Sequence, residues 1–159
     1  MNDLRQENTW RGRLIRYAPV LFWVGVILFL SSGAGAMSET SRFIRPILQF
    51  LFPDASEETL RLYHGAIRKF AHFAEYAVLA FLASRALLGS HFAVLRRYWY
   101  AAALLLVLIV AGVDEYGQSL DPSRTGSLGD VMLDAAGGIF AVIVVALFRR
   151  VRRRRAASG

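Results

Sequence analysis

Long uninterrupted apolar runs recur four times along the chain, at about Tyr17 to Ala36, Ile67 to Leu88, Tyr98 to Tyr116 and Leu128 to Phe148. Each approaches the roughly 20 residues that a helix needs to cross about 30 Å of hydrocarbon. Apolar residues lie on all sides of these runs, not at alternate positions, so the pattern predicts helices and not the strands of a membrane barrel. An all-α membrane protein with four transmembrane helices in a bundle follows, because a helix satisfies its own backbone hydrogen bonds in lipid. The connection between the first two spans mixes apolar and charged residues. In it Phe43, Ile44, Ile47 and Leu48 recur at helical spacing, and Ser56 before Glu57 and Glu58 reads as a helix start. Short interfacial helices are expected there. No internal repeat or domain linker is visible.

Charge sets the orientation. The chain carries +7, yet the basic residues follow the spans. Thirteen of the 19 fall on one side of a four-span arrangement: four before the first span, Arg85, Arg96 and Arg97 around the second loop, and six after the fourth. The positive-inside rule then places both termini in the cytoplasm. The expected organisation is a basic segment at 1–16, the membrane domain at 17–148 and an Arg-rich tail at 149–159. That tail is read as a topology anchor and not a nucleic-acid arm. The aromatic residues at 98–100 sit where an interfacial belt is expected. A competing reading of the N-terminus is a signal peptide with an A-x-A-like site at Ala34 to Ala36. Cysteine is absent, which excludes disulfides and thiolate metal sites.

The remaining polar residues are concentrated at one depth. In the second span Lys69, His72, Glu75, Tyr76 and Leu79 advance by three or four residues and share a helical face about 120° wide. The third span ends in "DEYGQ", with Asp114, Glu115 and Gln118; the fourth opens with "GSLGDVMLDAAGG", in which Asp130 and Asp134 are i, i+4 neighbours. All three sets reach the outer half of a four-span bundle, and Gly137 and Gly138 would admit a close neighbouring helix beneath them. An isolated charge at a helix centre costs about 2.5 to 3.5 kcal/mol on insertion scales. Mutual pairing or a polar pocket lowers that cost.

"RKFAHFAEYAVLAFL", followed by "DEYGQSLDPSRTGSLGDVMLDAAGG", resembles the VanZ-like family of bacterial membrane proteins, named for a teicoplanin-resistance protein. The resemblance runs from about Lys69 to Gly138. It rests on Lys69, His72, Phe73 and Tyr76, then Asp114, Glu115 and Gln118, then Pro122 and Arg124, then Asp130, Val131 and Gly137. Asp134 departs from it, standing where the family usually has Asn, so a negative charge replaces a neutral amide. The resemblance implies a multi-pass protein of the bacterial cytoplasmic membrane connected with glycopeptide sensitivity.

Several chemistries fit these residues. Lys69 and Arg124 suit an anion, with Tyr76, Asp114, Glu115, Gln118, Asp130 and Asp134 as pocket wall. His72 and Glu75 could form an acid/base pair or half of a metal site. No second histidine lies in the matching spans, so no cofactor is assigned, although Glu75, Asp114, Glu115 and Asp134 could hold a divalent cation through oxygen. No Walker loop, nucleophile elbow or H-E-x-x-H motif is present. The favoured reading is an outward-facing pocket for an anionic membrane lipid, with a lipid-linked glycan precursor as the candidate partner. An intramembrane enzyme acting on a lipid phosphoester or acyl group, and a polar network that only fixes helix packing, remain as alternatives.

Overall fold

The computed structural model describes residues 10–31, 37–119 and 128–157. Every regular element among them is helical: α1 (Trp10–Phe29), α2 (Met37–Leu51), α3 (Glu57–Leu88), α4 (Ala93–Arg97), α5 (Trp99–Ser119) and α6 (Leu128–Ala157). Among the described residues α1, α3, α5 and α6 are long and apolar enough to cross a membrane. The stretch 32–36, with the A-x-A-like sequence, lies outside the described residues.

Two of the helices outrun the apolar runs that predict them. The second begins at Glu57 and not at Ile67, where Ser56 caps it by accepting a hydrogen bond from the Thr59 amide at 3.2 Å. From that cap, Leu60 and His64 turn inward and are buried, so the inward face forms seven residues before the apolar run starts. The resulting 32-residue helix is about 48 Å long at 1.5 Å per residue, well beyond the hydrocarbon thickness. Likewise α6 continues through the arginines to Ala157, since arginine is a good helix former. The amphipathic α2 packs beside the start of α3, where the Phe52 and Tyr63 rings meet at a tilt of 51° with centroids 5.0 Å apart. Arg45 also reaches both Glu57 oxygens there, at 2.7 and 2.6 Å. That pair is more than half exposed and contributes little.

The bundle is small-residue inside and large-residue outside. Its core is built from Tyr76, Leu79, Ala80, Ala83, Ala103, Val107, Ala111 and Ala141, whereas Phe22, Phe70, Phe81, Leu105 and Phe148 face outward. This suits a lipid environment, where helices associate by close van der Waals approach and gain nothing from hiding leucine. Tyr17 of α1 donates to Ser90 Oγ beyond the end of α3 at 3.2 Å, and Trp23 Nε1 donates to the Glu75 carbonyl at 2.9 Å. Rising numbers on α1 therefore meet falling numbers on α3, and the two run antiparallel. On α5, Trp99 lies by Arg149 and Val107 by Gly138, so α5 is antiparallel to α6. The belt expected at 98–100 is divided. Tyr98 and Tyr100 are exposed, while Trp99 turns inward beneath the Arg149 guanidinium.

Candidate functional site

The polar residues of four helices meet at the end of the bundle away from Trp99. α1 closes with a wider, π-type turn at Leu30 and Ser31. Such turns often mark functional positions, and this one aims the Ser31 hydroxyl at α5. Ser31 donates to Asp114 Oδ1, and Tyr76 of α3 donates to Asp114 Oδ2 at 3.2 Å. One turn further along α5, Gln118 Nε2 donates to Ser31 Oγ at 3.1 Å. Asp114, Tyr76 and Gln118 are all buried, so this network is shielded from solvent.

A second contact joins α3 to α6. His72 Nδ1 lies 3.5 Å from Asp134 Oδ1, and Asp134 is completely buried. Two glycines make the approach possible. A Cβ on Gly137 would collide with the Phe73 carbonyl oxygen of α3, and one on Gly138 would stand 3.0 Å from Val107 Cγ1 of α5. The helices pack backbone to backbone just below Asp134, which fixes the distance at which it meets His72. His72, Asp114 and Asp134 each offer a ligand atom within 4.8 Å of the others.

Beside this cluster is a cavity of about 140 Å³. Its polar wall carries Arg68, His64, His72, Glu75 and Gln118; Ile27, Leu30, Ile44 and Ile67 supply the apolar wall. Glu75 faces this cavity. Glu115 is buried beside Asp114 in the chain, and Asp130 is half-buried one turn before Asp134. Lys69, placed by its spacing on the same face as Tyr76, is exposed and does not line the cavity. It lies two turns nearer the start of α3. Pro122 and Arg124 lie outside the described residues. A larger cavity, about 610 Å³, opens at the opposite end among Arg96, Arg97, Arg149, Arg150, Arg153 and Arg154. None of the residues assigned to the site line it.

Comparison with known proteins fits this arrangement. The family sequence model described as VanZ/LLP1 matches residues 17–149, from α1 into α6. The chain belongs to the VanZ/LLP1 family. No curated protein and no solved structure matches it. The matched stretch of this VanZ/LLP1 chain holds all the residues of the polar cluster and the smaller cavity, including three that the sequence reading did not assign: Ser31, His64 and Arg68. A signal for two of them was present. His64, Arg68 and His72 succeed one another at i, i+4 spacing, a stripe that becomes visible once α3 is started from Ser56 and not from Ile67. Ser31 had no such signal, because its role depends on the shape of a turn and on a partner 83 residues away.

Proposed function

We propose that this VanZ/LLP1 protein binds the anionic headgroup of a membrane lipid in the cavity between α1, α2 and α3. The observation that carries the reading is the cavity's mixed lining: Arg68 and two histidines, with Glu75 and Gln118 beside them, together with isoleucine and leucine side chains. A guanidinium suits a phosphate or carboxylate, and an apolar wall suits the chain attached to it. A cavity of about 140 Å³ has room for a phosphate group. By holding the phosphate end of a lipid-linked precursor, the protein would influence envelope glycan chemistry and teicoplanin sensitivity. In this reading Arg68 takes the anion-holding part expected of Lys69 and Arg124. The site faces outward from the bacterial cytoplasmic membrane, with both termini inside.

The test is lipid retention measured by native mass spectrometry of the purified protein. Arg68→Ala should lose anionic lipid while keeping zwitterionic lipid, and Lys69→Ala should retain both. Equal retention by Arg68→Ala and the parent would refute the reading.

One observation favours a second reading, an intramembrane enzyme acting on a lipid phosphoester or acyl group. His72 lies on the cavity wall with the Asp134 carboxylate 3.5 Å from its Nδ1, the order of a base and its orienting group. Turnover of a lipid substrate that disappears in His72→Ala would select it.

A further inference from the structure

We propose that His72, Asp114 and Asp134 form a binding site for a divalent transition-metal cation of the zinc class. Three observations converge on it. The three side chains come from three different helices and place one imidazole nitrogen and two carboxylate oxygens within 4.8 Å of one another. Both Asp134 oxygens and His72 Nδ1 are buried, and none of the three has a hydrogen-bond partner among the described residues. Asp134 has no exposed surface at all, so water does not solvate it from outside.

Buried lone pairs are ordinarily satisfied, and each one left over calls for an explanation. A shared cation satisfies all three together. Two ligands about 2.1 Å from a tetrahedral metal lie about 3.4 Å apart. The His72 Nδ1 to Asp134 Oδ1 separation is 3.5 Å, too long for a good hydrogen bond and right for a bridged pair. Two carboxylates with a neutral imidazole carry a double negative charge, which a divalent ion cancels in a setting where uncompensated charge is expensive. The imidazole selects a first-row metal over calcium or magnesium, which prefer all-oxygen shells.

The surroundings match what such a site needs. Ser31 and Tyr76 each donate to Asp114, which orients that carboxylate toward its neighbours. His72 also borders the cavity, so a fourth coordination position would open toward it. The site uses the chain's own three ligands and does not rest on the headgroup reading. Arg68→Ala should leave it intact.

The purified chain, free of tag histidines and stripped with chelator, is titrated with Zn²⁺ alone by calorimetry and with Co²⁺ followed by visible absorption. One Zn²⁺ per chain is expected, with Co²⁺ bands that Zn²⁺ displaces and equal Mg²⁺ does not. Both His72→Gln and Asp134→Asn should weaken Zn²⁺ binding by at least about 100-fold. His91→Gln, exposed beyond α3, should bind like the parent. Asp134 lies in the core, so each variant is first checked for a melting transition; if Asp134→Asn lacks one, the parent and His72→Gln titrations decide. Absence of stoichiometric binding by the parent, or unchanged affinity in the folded variants, overturns the site.

Discussion

Gly137 of α6 lies against the backbone of α3 so closely that a Cβ added to it would overlap the Phe73 carbonyl oxygen. Backbone cannot move aside as the end of a side chain can, so the contact sets the spacing of the two helices that carry His72 and Asp134. Gly137→Ala should therefore destabilise the protein by about 1 to 3 kcal/mol, despite alanine's higher helix propensity. Gly25, with open space where its Cβ would be, supplies the control. Detergent melting should show Gly25→Ala neutral or stabilised and Gly137→Ala clearly lowered.

Tyr76→Phe removes a hydroxyl that donates to Asp114, as Ser31 also does, without changing the packed ring. Loss of a buried donor to a carboxylate costs about 1 to 3 kcal/mol. A lowered melting temperature with the fold retained is the expected result. A variant as stable as the parent would mean that the hydroxyl is not needed to hold Asp114.

The natural chain lacks cysteine, which makes sidedness directly measurable. A single cysteine at exposed Asp54 should react with a membrane-impermeant reagent in intact cells. Cysteines at exposed His91 and Ala156 should react only after permeabilisation. Ser90, an obvious choice from the sequence, is unsuitable because it is buried beneath Tyr17 and Arg96. Labelling of the His91 position from outside would reverse the orientation.

Metal affinity at the proposed site should depend on pH in one direction. Protons and the cation compete for the same lone pairs on His72, Asp114 and Asp134, so Zn²⁺ binding should weaken and proton release should rise as the medium becomes more acidic. Calorimetry in buffers of different ionisation enthalpy measures the released protons directly. Affinity that stays flat between neutral and mildly acidic pH would exclude the imidazole as a ligand.

Four spanning helices, an amphipathic helix between the first two and the cap at Ser56 were all readable from local order, because apolar periodicity and capping depend on residues a few positions apart. The depth shared by His72, Asp114 and Asp134 was readable for the same reason: it is a count of residues from the end of each span. Which residues turn toward one another was not. Lys69 and Tyr76 share a helical face, yet one is exposed and the other buried, since the neighbours of α3 cover only part of its length. Ser31 reaches Asp114 across 83 residues, and His64 and Arg68 line the cavity because α1 and α2 close over them. Periodicity assigns a side chain to a face of its own helix; only the packing of the other helices decides whether that face meets lipid, water or a carboxylate.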